Sequence, residues 1–349
     1  MALRFFLGAN SKEGFVSLFP RLKAEGSRRI FCIKSGPGCG KSTCMAHLAA
    51  ALGGAKEEFL CSSDPGSLDG VLLPGLAILD GTAPHVFEPD FPGCDGDYLT
   101  LPAFLDPAGL ESRRPELLAL KAASRQHYAR AYRLIAAAAL TREEVRQTLA
   151  SLLPPGALEK RALSLCRREI PKGSGRAVIR RRFLDGVTPE GLLFLGDTVP
   201  ACARRIIALR DSFGLTSPLL ETLAEGAADR GQESYLCLDP VEPDRVRHLL
   251  LPGCSLAFVT DDGRTPLPFV PTRTLHIDRM LPPAELRSMR GRLRLLRRTE
   301  DALLGDAVAA IAAAHALHDR IEDIYRPHID VSAMESCYAG LLSRLRREV

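Results

Sequence analysis

Ser35-Gly36-Pro37-Gly38-Cys39-Gly40-Lys41-Ser42-Thr43 stands between the apolar run Ile30-Phe31-Cys32-Ile33 and a helical pattern from Cys44 to Leu52. Strand, glycine-rich loop and helix in that order give a phosphate-binding pattern its structural context. Glycines let the backbone curl until several N–H groups face one anion, and the helix N-terminus adds unpaired donors and a positive dipole end. The pattern assigns phosphate contacts to Gly36, Pro37, Gly38, Cys39, Gly40, Lys41, Ser42 and Thr43. Lys41 reaches the β- and γ-phosphates, Ser42 ligates Mg²⁺ and Thr43 contacts the α-phosphate. Ser35 stands where the usual first glycine would be. The plainer reading is an ordinary turn before a helix, and the flanking elements argue against it.

Asp80 closes a second apolar run, Leu76-Ala77-Ile78-Leu79. A carboxylate at that place holds Mg²⁺, usually through water, and hydrogen-bonds the loop serine. It also suits a turn cap before Gly81. Motor- and recombinase-type ATPases carry a glutamate directly after this aspartate, and here Gly81 follows. Asp64, Asp69, His85 and Glu88 are the remaining candidates to activate water or an acceptor, with Asp64 and His85 the leading general bases if geometry brings them within reach. The arginine that a transferring phosphoryl group calls for is not singled out among Arg113, Arg114, Arg125, Arg130, Arg133 and those of the second half.

The chain repeats itself. Residues 28–61 lie over 204–237 without a gap, and Leu72-Leu73-Pro74-Gly75 echoes Leu250-Leu251-Pro252-Gly253. A period of about half the chain means a duplicated domain rather than a solenoid. In the overlay Gly40 falls on Thr216, Lys41 on Ser217, Ser42 on Pro218 and Thr43 on Leu219, while Gly38 keeps its identity as Gly214. The second copy lacks the cation and the magnesium hydroxyl, and its proline removes an N–H donor. The reading is therefore two tandem P-loop NTPase-like α/β domains, 1–172 with an intact loop and 173–349 with a degenerate one. They are joined near Pro171-Lys172-Gly173-Ser174-Gly175. Alternating strand and helix signals predict a mostly parallel sheet with flanking helices in each. Helical caps are expected over 116–140, 142–152 and 158–166, and again over 283–347.

At 349 residues, 46% hydrophobic and 25% charged, the composition is that of an ordinary globular chain. No apolar window approaches a membrane-spanning helix, and the first residues lack a signal-peptide core, so a cytoplasmic protein with no membrane partner is expected. The net charge of +4 is small, and the arginine clusters at 180–182 and 287–298 read as solvated faces, with no nucleic-acid partner expected. The 10 cysteines show no metal spacing and read as reduced thiols. Cys39 sits in the loop itself and reads as a small loop residue.

The run Cys61-Ser62-Ser63-Asp64-Pro65-Gly66-Ser67-Leu68-Asp69-Gly70, with Leu79-Asp80-Gly81-Thr82-Ala83-Pro84-His85, resembles a family of bacterial tandem P-loop proteins labelled only as ATPases. The resemblance extends over nearly the whole chain, including Val187-Thr188-Pro189-Glu190-Gly191. It implies two P-loop NTPase domains and nucleotide binding at Ser35 to Thr43, and it names no substrate. In other members the second half keeps a recognisable phosphate loop. Here Asp211 to Leu219 does not.

Three functions are compatible with these residues. The first is binding and slow hydrolysis of a nucleoside triphosphate, read as ATP with Mg²⁺ because the guanine-reading Asn-Lys-x-Asp pattern is missing, coupled to movement between the halves. In it Lys41 and Asp80 serve the chemistry, with Asp64 or His85 as base. The second is a small-molecule or nucleoside kinase, with Asp64 acting on the acceptor hydroxyl. The third is a scaffold that binds nucleotide without turnover and presents a partner surface. The small-molecule or protein partner of any of them is not specified by the sequence.

Overall fold

In the first half, the strands Arg29–Lys34 and Leu76–Asp80 follow from short apolar runs bounded by glycine. In chain order the half runs β1 (Leu3–Phe6), β2 (Gly8–Ser11) and β3 (Gly14–Ser17), then, after the short α1 (Arg21–Ala24), β4 (Arg29–Lys34). Next come α2 (Lys41–Ala51), β5 (Glu57–Cys61), β6 (Asp64–Leu73), β7 (Leu76–Asp80) and β8 (Gly96–Thr100). A helical section closes the half: α3 (Pro107–Ser112), α4 (Arg114–Ala150) and α5 (Ala157–Glu169). This computed structural model describes residues 2–25, 29–84, 86–173, 175 and 177–346. Of the residues named above, Arg28, His85, Ser174 and Arg347 lie outside that set.

The second half repeats the order. β9 (Ile179–Arg182), β10 (Asp185–Thr188), β11 (Gly191–Phe194), α6 (Thr198–Cys202) and β12 (Arg205–Arg210) lead to α7 (Ser217–Asp229). β13 (Ser234–Leu238), β14 (Val246–Leu251), β15 (Leu256–Asp261) and β16 (Arg273–His276) follow, then α8 (Pro283–Ser288), α9 (Arg290–Tyr325) and α10 (Val331–Leu345).

Each half builds one six-stranded sheet, ordered β1-β5-β6-β7-β4-β8 and β9-β13-β14-β15-β12-β16. Both are mixed. β4 lies parallel between β7 and β8, and β1 runs parallel to β5, but β6 is antiparallel to both β5 and β7. The second sheet copies this pattern strand for strand. The expected mostly parallel sheet is interrupted at β6, where the turn at Ser62-Ser63 is too short for a crossover and folds the chain back as a hairpin. Ile30 to Ile33 and Leu76 to Asp80 are buried throughout, as expected of strands covered on both faces.

The two sheets meet at their edge strands β1 and β9. Phe6 and Phe183 exchange backbone hydrogen bonds at 2.9 and 3.0 Å, each pairing with its counterpart in the duplication. The junction protects two edges that would otherwise be free to pair with other chains.

The last helix of each half does not cap its own half, which corrects part of the expected arrangement, while α4 still packs on β2 and α9 on β10 and β11. The segments expected as two helices at 116–140 and 142–152 form the single 37-residue α4, about 55 Å long. α4 packs along α9 through Ala131, Ile135, Ala138, Leu304, Ala307 and Ile311, small and branched residues that let the helices approach closely. The last helix of each half then crosses over. α5 covers α7 of the second half, with Cys166 so close to Gly226 that a β-carbon there would lie 2.5 Å from its sulfur. α10 covers α2 of the first half, where Met334, Leu341 and Leu345 join Cys39, Cys44, Met45 and Leu48 in one cluster. The halves are exchanged at their C-terminal helices, so neither loop helix completes its core within its own half. No helix among the described residues is long and apolar enough to cross a membrane.

Candidate functional site

The loop between β4 and α2 is curled rather than extended. Gly38 and Gly40 take left-handed backbone angles, φ 70° and 65°, which favour glycine. α2 begins at Lys41, so its first-turn N–H groups, which lack helical partners, stand beside the loop. Cys39 points the other way. It is 2% exposed and packed in the core beneath the loop, consistent with its reading as a small loop residue. Burial also pushes the neighbouring Cys44 thiol up to about 12, leaving it inert.

The Lys41 ammonium folds back into the curl, donating to the Gly36 carbonyl at 3.3 Å and lying 3.5 Å from Asp80 Oδ2. Asp80 sits at the end of β7, immediately beside β4 in the sheet, and the two strands run parallel. That adjacency brings the loop lysine and the strand-end carboxylate together. The turn-cap reading of Asp80 holds. Its Oδ1 caps the turn, accepting from the Thr82 amide at 2.8 Å and the Thr82 hydroxyl at 2.6 Å, while Oδ2 faces Lys41. Ser42 Oγ accepts from the Leu68 amide at 2.9 Å, and among the described residues no hydrogen bond joins it to Asp80. Thr43 is exposed on the first turn of α2.

Asp64 starts β6 at the turn after β5, and its Oδ1 lies 3.3 Å from His315 Nε2 of α9. Burial works against the His315 charge, but Asp319 and then Asp64 hold its pKa above the ordinary histidine value. Asp69 is buried beneath Cys61, and Glu88 is tied to Lys34 and Tyr98. His85 falls outside the described residues. The candidate bases therefore do not gather: Asp64 is paired with a helix of the other half, and Glu88 with a lysine of its own.

The residues that the sequence did not mark come from the second half. Glu322 Oε1 accepts from the Gly38 amide at 3.1 Å. The Tyr325 ring lies against Gly36, where a β-carbon would come within 2.7 Å of it. Tyr338 Oη donates to the Cys39 carbonyl at 3.2 Å. His318, then the Gly38 amide and Lys41, hold the Glu322 carboxyl below its ordinary range. The duplication carried one usable signal. The shift that lays Gly38 on Gly214 also lays Glu322 on Arg146 of α4, and Arg146 packs against Gly214. A pairing of loop and long helix repeated in both halves points to an exchanged arrangement.

The second loop has the same position but different chemistry. Asp211 replaces Ser35 and turns inward, accepting from the Phe213 amide at 3.1 Å and the Thr216 amide at 2.7 Å. Burial raises its pKa above the usual carboxylate range despite these bonds. Thr260, in the register position of Asp80, lies 3.2 Å from Thr216 Oγ1. The loop amides are thus engaged by the chain itself. Around it Arg142 pairs with Asp239 at 3.1 Å and Glu300 at 2.5 Å, and Arg146 with Glu242 at 2.5 Å. Burial opposes the Asp239 charge, yet Arg142 and Arg247 hold its pKa down at about 2. These arginines are engaged in clamping the halves together.

Comparisons with protein-family models, curated proteins and solved structures return no match for this chain.

Proposed function

We propose that the chain binds a nucleoside triphosphate, ATP with Mg²⁺, at the loop from Ser35 to Thr43 and hydrolyses its γ-phosphate slowly, with binding coupled to movement between the halves. The observation that carries the reading is the placement of Lys41. Its ammonium lies inside a curl of left-handed glycines, between the Gly36 carbonyl and Asp80. A polyphosphate there exchanges those contacts for charge-assisted hydrogen bonds to its own oxygens. Mg²⁺ asks for hard oxygen ligands, one or two from the protein and the rest from phosphate and water. A hydroxyl at Ser42 and a carboxylate at Asp80 are that donor set. When bound, the ion neutralises phosphate charge. Lys41 and the loop amides orient the triphosphate, and Asp80 holds the Lys41 ammonium as well as the turn at Thr82. The missing guanine-reading motif favours ATP, and the resemblance to tandem P-loop ATPases points the same way.

Phosphate release tests the chemistry. Wild type should release phosphate slowly from Mg-ATP, and Lys41→Ala and Asp80→Ala should each lose about 10²-fold or more, the scale of removing one charge-stabilising group. Equal release by wild type and Lys41→Ala would contradict the assignment. Turnover stimulated by an added hydroxyl compound, with phosphorylated product, would replace hydrolysis by the kinase reading.

A further inference from the structure

The first loop is touched at successive positions by the second half. Tyr325 covers Gly36, Glu322 bonds Gly38, and Tyr338 bonds Cys39. Of these contacts, the one at Gly38 is made by an anion. Its N–H points to a carboxylate oxygen at 3.1 Å, in the loop whose amides would otherwise face phosphate.

We propose that Glu322 is a built-in competitor for the phosphate seat, so that a nucleotide enters only by displacing this carboxylate and, with it, the last turn of α9. The proposal rests on the nucleotide reading of the loop and adds to it the element that regulates access.

The second half supplies the contrast. There the loop amides hold Asp211, an internal carboxylate, and the residue laid over the loop by the duplication is the cation Arg146. In the first half position 35 is a serine, and the residue laid over the loop is the anion Glu322. Each loop therefore has one carboxylate on its amides, contributed from within in one case and from the opposite half in the other. An acidic side chain placed on the surface by chance has no reason to follow that rule. Glu322 is also suited to leave. Its side chain is 34% exposed, and apart from Gly38 its near partner is His318 at 3.4 Å on its own helix. α9 runs through a short turn, Arg326–His328, into α10, which covers α2. Displacement of the last turn of α9 would thus move the junction through which the halves are exchanged.

Equilibrium binding of Mg-ATP to the full chain separates the possibilities. Glu322→Gln and Glu322→Ala should each bind about tenfold more tightly than wild type, the scale of removing one charge-assisted hydrogen bond that competes with the ligand. Lys41→Ala should bind weakly, and Lys41→Ala combined with Glu322→Gln should stay weak. In wild type, hydrogen exchange of amides 318–328 should speed up when Mg-ATP is added. Lys41-dependent binding that is unchanged or weakened in both Glu322 variants, or no change in exchange on binding, overturns the competitor and leaves the nucleotide site standing. Absence of binding in wild type and in both Glu322 variants overturns the nucleotide reading and the competitor with it.

Discussion

Arg182 of β9 donates to Glu57 of β5 at 2.8 Å across the junction between the halves, and its guanidinium is fully enclosed. Glu25 takes its other face at 2.7 Å, and the Tyr235 hydroxyl donates to Glu57 at 3.0 Å. Burial works against the Arg182 charge, and Glu57 and Glu25 restore it, so the group stays a cation at any working pH. Every member has a partner, the condition under which a buried ion pair is tolerated.

Removing one member leaves the others buried without compensation. Arg182→Ala should cost about 3–5 kcal/mol, read as a lower midpoint in denaturant unfolding. A change within experimental error would mean that the junction is open to water and that the halves are not joined through it.

Leu345 is fully buried at the end of α10, in the cluster that includes Met45 and Leu48 of α2. Leu345→Ala should cost about 2–5 kcal/mol. More diagnostic is where the loosening occurs: hydrogen-exchange protection should fall in residues 41–51, far away in sequence. Loss of protection confined to the second half would contradict the exchanged helix.

Asp64 and His315 give a pH signature. Because the folded pKa of His315 is raised, its contribution to stability is complete below the unfolded histidine value and disappears as pH rises through the folded one. Asp64→Asn should lower the His315 pKa, leaving Asp319 as its carboxylate partner. NMR titration of the imidazole checks this, and an unmoved titration would mean that the two groups are apart in solution.

Local patterns made some of this legible. Ile30 to Ile33, the glycines after them and the apolar run into Asp80 specify β4, the curled loop and β7 from neighbouring residues alone. The expected helices end at 140 and resume at 142, yet the Thr141 hydroxyl between them bonds back to the Ala137 carbonyl at 3.0 Å and α4 continues through it. β6 contains Pro65, Gly66 and Gly70, poor strand formers; Gly70 is held by pairing with Phe59 of β5 and Leu79 of β7, while Pro65 and Gly66 fall where the register with β5 shifts. The exchange of α5 and α10 was not legible, because an apolar helix face records that it must be covered and not by which half. For the same reason Glu322, an ordinary surface residue of a long helix in sequence, became visible only through its contact with Gly38.

The most direct test of the central claim is calorimetric titration of Mg-ATP into wild type and Lys41→Ala. Saturable binding by wild type, weakened roughly 10- to 100-fold by loss of the ammonium, is the predicted result. Equal affinity in the two proteins would contradict it.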